Sequence, residues 1–514
     1  MKAIPLKRAE RPLVLALDIG TSSCRALLYE ARTRRVDGVG GQLAYEPRTT
    51  ADGGAEFDPD VLLEQVGQVV ESVTRKGGRA LDGVGAVATS TFWHSLMGVD
   101  ERGRAITPLY LWMDARSGDA AEDLKRRLDE RAVHARTGCV LHWSYWPAKL
   151  LWLSRTESCL FGRVRRWVSF GEYLGLRRSG QPTVSVSMAS GTGLLNQHTR
   201  DWDDGVLAAL PIERDQLSPI VDLTDERGIE NNCSLSPRLS IAPSLARVPW
   251  LSAVGDGACS NIGAGCTTRE RLALMVGTSG ALRALWRAEE VVIPWGVWCY
   301  RADAGRVVLG GALNDGGSLF DWLRETLRLP PLEEAERQVA ALEPDAHGLA
   351  LLPLWAGERS PGWASDARGA IVGLRLHTTP VEILRAALEA VAVYFARIEA
   401  ILGRAVPEAR EVIATGGALL HSPAWLQIMA DVLGRPVLAS AEPEASSRGA
   451  ALLALEALGA LPDGIETLVP ETERVYEPVP AHTERYRAAA ERQARLYEAL
   501  VGPMRPPKHP GRSG

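Results

Sequence analysis

Two short loops and one isolated carboxylate hold the residues best suited to phosphate chemistry. The first loop, DIGTSS (18–23), follows the apolar run LVLAL (13–17); the second, GTSG (277–280), follows LALMV (272–276). Gly20 and Gly277 occupy matching places, and each loop leads into a second apolar run with an arginine in it. Glycine lets the backbone approach a ligand closely, and the free N–H groups of such a turn form an anion-binding nest. The hydroxyls of Thr21, Ser22, Thr278 and Ser279 add donors. One Gly-Thr-Ser tripeptide reads as an ordinary turn. A matched pair, each behind a buried-type strand, points to two loops facing across a cleft and holding a polyphosphate.

The carboxylate is Asp256. It stands between Gly255 and Gly257 in the small, neutral stretch VGDGACSNIGAG (254–265), 21 residues before Gly277. Asp-Gly is most often a turn. A metal ligand and a catalytic base are the other uses of such a group, and the residues alone leave all three open.

The elements that must carry these residues follow an α/β pattern. An apolar run, a Gly/Thr/Ser turn and a second apolar run predict a β-hairpin at 13–30 and another at 272–286. One hairpin of this kind per half suggests two domains of similar architecture. DGVGAVATS (82–90) and VIATGG (412–417) are strand candidates, the latter running into a glycine turn. Residues 380–403 have helical periodicity and a well-signalled start, with Thr379 as N-cap, Pro380 in the first position and Glu382 completing a capping box. SPAWLQIMADVLG (422–434) repeats the cap signal, and SSRGAALLALEALG (446–459) reads as a buried helix. A strand, a glycine pair and a helix favour phosphate at the helix N-terminus. The loop-rich stretch NNCSLSPRLSIAPSLARVPWL (231–251) places the domain boundary near 250–265.

The chain has 514 residues, too many for one hydrophobic core, so two domains are expected. A net charge of −5 gives no electrostatic case for nucleic acid or an anionic membrane. The seven cysteines are scattered without a CxxC pair, which argues against a disulfide framework and a zinc site and suits reduced thiols in the cytoplasm. The basic N-terminus precedes an apolar run broken by Asp18, too short for a signal peptide, and no stretch reaches the ~18 apolar residues of a membrane span. The Pro-, Gly- and Arg-rich end, GPMRPPKHPGRSG, reads as a disordered tail.

These motifs resemble the FGGY carbohydrate kinases, over about residues 12 to 460. DIGTSS matches that family's first phosphate loop and GTSG its second. RGAIVGLRLHTTPVEILRAALE (368–389) fits its C-terminal signature throughout. SYWPAKLLWLSR (144–155) keeps Ser144, Lys149 and Trp152 of the upstream signature, with Trp146 where a small residue or proline is usual. Within the family, MVGTSGALR, GGALNDGGSLFDWLR, LWAGERSPGWASDARG and ATGGALLHSPAWLQIMAD are most similar to gluconokinases.

The resemblance implies an α/β fold of two actin-like (ribonuclease-H-like) ATPase domains around a central cleft. The expected division is 12–258 for the sugar-binding half, 259–475 for the nucleotide-binding half, and 476–514 for a C-terminal helix and tail. It also implies ATP-dependent phosphorylation of a sugar or sugar acid, with D-gluconate going to 6-phosphogluconate, and ATP and Mg²⁺ as cofactors. Asp256 then becomes the catalytic base, with Gly255 and Gly257 leaving room for the substrate. Asp18 is assigned to Mg²⁺. Thr21, Ser22, Arg25, Gly277, Thr278, Gly316, Gly317, Gly416 and Gly417 are assigned to ATP, and Asn314 shares the nucleotide side with its NDGG neighbours. TFWHSL (91–96) resembles the substrate-contacting segment, with Trp93 and His94, the latter a hydroxyl or carboxylate binder. In YLWMDARS (110–117), Trp112 is placed on the sugar's carbon face, and Asp114 with Arg116 forms a structural ion pair. A xylulokinase-like acceptor is the alternative within the family, and a non-catalytic actin-like nucleotide-binding or sensor protein the alternative outside it. No nucleic-acid or membrane partner is expected, and a homodimer stays open. GTSG is not the GxSxG of a hydrolase, and phosphoryl transfer to an alcohol needs no covalent thiol intermediate, so Cys259 and Cys266 read as small buried residues.

Overall fold

The computed structural model describes residues 3–223, 225, 229–230 and 243–502. In the first half, β1 (Leu13–Ile19), β2 (Ser23–Tyr29) and β3 (Arg35–Ala44) form an antiparallel meander. Helix α1 (Pro59–Gly77) then crosses over, capped by the Asp58 side chain, which accepts from the N–H groups of Asp60 and Val61. The crossover lets β4 (Val84–Thr91) pair with β1 in parallel, and β5 (Val254–Gly255) adds in parallel to the far side of β4.

The second half repeats this order. β6 (Arg271–Val276) and β7 (Gly280–Arg287) form the second hairpin. β8 (Trp298–Arg301) lies at the edge and β9 (Arg306–Leu313) completes the meander on β7. β10 (Glu411–Thr415) pairs with β6 in parallel and β11 (Val437–Ser440) with β10. The strand orders β3-β2-β1-β4-β5 and β9-β7-β6-β10-β11 are therefore the same design twice, as the paired hairpins predict.

Helices cover the faces. The long helix over Pro380–Leu402 starts as read from its sequence: the Thr379 hydroxyl accepts from Glu382 N–H at 3.3 Å and Glu382 accepts from Thr379 N–H at 2.7 Å. The helix over Pro423–Leu433 is capped by Ser422 and ends at Gly434 in the left-handed region, φ 64°. No helix among the described residues is long and apolar enough to cross a membrane. The six described cysteines are free thiols, and Cys233 lies outside the described residues. The expected tail also lies outside them from residue 503 on, as do residues 231–242 of the loop stretch 231–251.

The division expected at 258/259 does not match the packing. Helix α2 (Asp256–Gly263) starts at Asp256, so that cut falls inside it. Helix α3 (Ala445–Ala457), placed by sequence order in the second half, packs on α2, β1 and β4. The reason is that β1 and β4 are parallel and apolar on both faces, so both need cover. α2 and α3 cross with their backbones nearly touching. A Cβ on Gly449 would lie 1.9 Å from the Cys259 carbonyl oxygen, and one on Gly263 1.8 Å from that of Ala445. Arg448 donates to the Gly263 carbonyl at 2.6 Å and ties off the end of α2.

This crossing fixes the helix that begins at Asp256. Gly449→Ala is expected to lower unfolding stability by about 1–3 kcal/mol in urea melts, and to lower turnover as well by displacing α2.

Candidate active site

A cleft of about 470 Å³ brings together Thr21 and Ser22 from the first half, Gly277 and Thr278 from the second, and Asp256 between them. Each hairpin loop is pinned by its backbone. Gly20 N–H donates to the Ser23 carbonyl and Tyr45 hydroxyl to that of Gly20, at 2.9 and 2.7 Å. Gly277 N–H donates to the Ser279 carbonyl at 2.9 Å. Ser22 and Thr278 are left exposed at the two tips.

Register explains how the acids meet. β4 is shared: Asp18 of β1 and Val254 of β5 both align with Ser90. Asp18 and Asp256, two residues beyond Val254, therefore emerge at the same end of the sheet. Burial pushes the Asp18 carboxyl up to about 7; the Ser90 hydroxyl pulls it down and the Asp256 charge adds to the rise. Burial also raises Asp256, opposed by the Arg283 charge, by the Gly257 N–H at 2.8 Å and by the Arg359 charge. Among the described residues Asp18 has no cationic partner, because Arg25 pairs with Glu444 at 2.7 Å. A raised carboxylate beside the Ser90 hydroxyl offers oxygen donors of the kind Mg²⁺ takes. Asp256 is the first residue of α2, where the helix N-terminus favours the anion. It is not the turn that an Asp-Gly dipeptide most often signals.

Several expected roles change. Gly255 and Gly257 do not clear space for a substrate. A Cβ on Gly255 would lie 1.9 Å from Trp93 Cε2, and one on Gly257 2.7 Å from Trp93 Cζ3. The glycines admit the Trp93 indole, which donates to the Ser187 carbonyl at 2.9 Å and packs 4.8 Å from the Tyr300 ring. Gly316 and Gly317 do not offer N–H groups to phosphate. They donate to the carbonyls of Thr278 and Gly277 at 3.1 and 2.7 Å. A Cβ at either would meet the second loop's backbone at 2.7 or 2.5 Å, so these glycines buttress that loop. Arg25, held by Glu444, does not line the cleft.

Gly416 has φ 88° and presses on the Val276 carbonyl, where a Cβ would lie at 2.4 Å. Gly417 is open, and its neighbour Ala418 packs against Gly317. The three glycine loops thus form one corner of the second half, beside the main cleft. Asn314 lines the cleft, its amide donating to the Ala356 carbonyl at 2.8 Å.

Lining the same cleft, His94 lies in the left-handed region at φ 67°, with Nδ1 on the Gly191 carbonyl. Burial and then the Arg359 charge push it down to about 3, so it is neutral. That contact assigns the proton to Nδ1 and leaves Nε2 as an acceptor. A hydroxyl partner fits it, and a carboxylate does not. Trp112 has one face under the Arg359 guanidinium, 5.6 Å from the ring centroid. Arg116 is bonded to Asp114 and, at 2.8 Å, to Glu56, and stacks 4.9 Å over Trp152, which makes it a structural group. The unusual Trp146 is fully buried and donates to the Ser95 carbonyl at 2.9 Å, bracing the residue after His94. Lys149 donates to the carbonyls of Trp143 and Ser144.

Arg283, Arg359 and Tyr300 also line the cleft, beyond the residues expected from the sequence. Arg283 had a visible signal, a charge in the middle of an otherwise apolar strand. Arg359 had none beyond its place in GERSP.

Models of the FGGY family of carbohydrate kinases match residues 13–263 with the N-terminal domain and 272–458 with the C-terminal domain. The chain is 28% identical to a gluconokinase of Bacillus subtilis over 494 residues, covering 92% of this chain and 93% of that one. It is 32% identical to a glycerol kinase of Alkalilimnicola ehrlichii over 476 residues, covering 87% and 90%. The gluconate kinase structure from Lactobacillus acidophilus superposes with a TM-score of 0.86 at 28% identity, covering 95% of this chain and 98% of the other.

The raised Asp18 carboxyl has a consequence for stability. A carboxyl that holds its proton more tightly when folded weakens the fold as pH rises from the ordinary 3.8 through about 7. Without nucleotide or metal, Asp18→Asn is expected to raise the melting temperature at pH 8 and to leave it nearly unchanged at pH 4, as read by thermal melts.

Proposed function

The chain belongs to the FGGY family of carbohydrate kinases, and on that premise we propose that it transfers the γ-phosphoryl group of ATP to a hydroxyl of D-gluconate, giving 6-phosphogluconate and ADP. The observation that carries this reading is one cleft holding a buried carboxylate, Asp256, and a Gly-Thr-Ser loop from each half. The likeness to the gluconokinase and the gluconate kinase supports the choice of acceptor.

In this reading Asp256 accepts the proton of the attacking hydroxyl. Its burial makes it a stronger base than an exposed aspartate, while the Arg283 and Arg359 charges oppose that rise. Thr21, Ser22 and Thr278 hold the phosphates from opposite walls, and Gly316 and Gly317 keep the second loop in shape. Asp18 would hold Mg²⁺, which when bound offsets phosphate charge at the loops. Neutral His94 accepts from an acceptor hydroxyl, and Trp93 with Tyr300 closes the apolar side against water. In this reading the first half holds the acceptor and the second the nucleotide, and the 445–457 helix packs with the first.

Two measurements test this. Asp256→Asn is expected to bind ATP within a few-fold of wild type and to lose about 10²–10⁴-fold in kcat; near-normal phosphorylation would remove Asp256 from the mechanism, and wild type without any turnover would favour a non-catalytic nucleotide-binding protein. A coupled ADP-release assay over D-gluconate, D-xylulose and glycerol is expected to give the highest kcat/KM with D-gluconate. A clear preference for the ketopentose or for glycerol would replace the acceptor and leave the kinase reading standing.

A further inference from the structure

The charged side chains lining the cleft are one acid, Asp256, and two bases, Arg283 and Arg359. Both arginines are deeply buried, 6% and 8% exposed. Among the described residues neither has an ion-pair partner. The Arg359 Nε is buried with no hydrogen-bond acceptor, and the guanidinium stacks on the Trp112 ring. Arg283 reaches only the Gly257 carbonyl and Asn261 Oδ1, each at a long 3.5 Å. Burial pulls it down to about 10 even with Asp256 nearby. A buried guanidinium without a partner is costly, and two of them against one carboxylate leave one positive charge unanswered in the cleft.

The place of these groups separates two uses. Arg283 lies three residues past Gly280 on β7, about 10 Å along the strand from the second loop, and packs against the first turn of α2. Arg359 stacks on Trp112, and its charge is felt at His94, Tyr145 and Tyr300. Both therefore sit on the acceptor side of Asp256, below the phosphate loops. A planar guanidinium matches a carboxylate in a bidentate fork.

We propose that Arg283 and Arg359 form a carboxylate seat in the acceptor site, so that this cleft selects sugar acids over neutral sugars and polyols. The proposal rests on the kinase reading of the cleft and adds the residues that choose its substrate class. The carboxylate of the acceptor supplies the missing negative charge, and the opposite end of the molecule is left to face Asp256.

The test compares D-gluconate with D-glucitol, which carries a hydroxymethyl group in place of the carboxylate. Binding is measured by calorimetry and phosphorylation by ADP release, for wild type, Arg359→Met, Arg283→Met and Arg359→Lys. The expected result is a wild-type preference for the acid that shrinks on the order of 100-fold in each Met variant and is partly restored in Arg359→Lys, with melting curves verifying that each variant is folded. Equal losses for acid and polyol, or a rise in the KM for ATP as the main effect, would overturn the proposal and move the arginines to the phosphate. If D-gluconate binds through the arginines without being phosphorylated, the seat stands and the gluconate acceptor assignment falls. If a neutral sugar turns over while D-gluconate neither binds nor competes, the seat itself is overturned.

Discussion

The parallel pairing of β4 with β1 on one side and β5 on the other is the constraint from which the site follows. Parallel neighbours end at the same edge of a sheet, so their C-terminal residues are delivered side by side. Here that edge receives Asp18 from β1 and Asp256 from just beyond β5. Their charges oppose each other, and burial raises both. Such an arrangement is poor for stability, and in the proposed reading it is useful for chemistry, one acid holding a cation and the other accepting a proton. The α2–α3 crossing at Gly263 and Gly449 then holds the helix that starts at Asp256 against this sheet.

The duplicated hairpins were legible because apolar runs and turn residues encode them locally, and the structure repeats their strand order in both sheets. The capping box at Thr379 and the stop at Gly434 were legible for the same reason. The return of the 445–457 helix to the first sheet was not. Nothing in an amphipathic segment names the sheet it will cover, and sequence order put it with its neighbours. Arg359 was invisible as a cleft residue for a similar reason, since its stacking on Trp112 joins parts of the chain 247 positions apart.

Glycines marked close approaches correctly but not the partner. Gly255 and Gly257 looked like clearance for a ligand and are clearance for Trp93. Gly316 and Gly317 looked like phosphate donors and spend their N–H groups on the second loop. In both cases the glycine acts one step behind the ligand, by letting a side chain or a loop take the position from which it works. Gly416 follows the same rule against Val276, while Gly417 alone of these is open.

The groups around His94 and Arg359 have an internal logic that joins these observations. His94 cannot carry charge in its buried place, so it can recognise a hydroxyl and not an anion. What holds it neutral includes the Arg359 charge, and Arg359 in turn also keeps Asp256 from rising further. The one Arg359 guanidinium thus adds to burial in holding His94 neutral and adds to Arg283 in opposing the rise of Asp256. An anionic group seated on the arginines would weaken that hold and raise the affinity of Asp256 for a proton. Under the proposed function, binding of a sugar acid would then strengthen the base as the acceptor arrives, tying the choice of substrate to the readiness of Asp256.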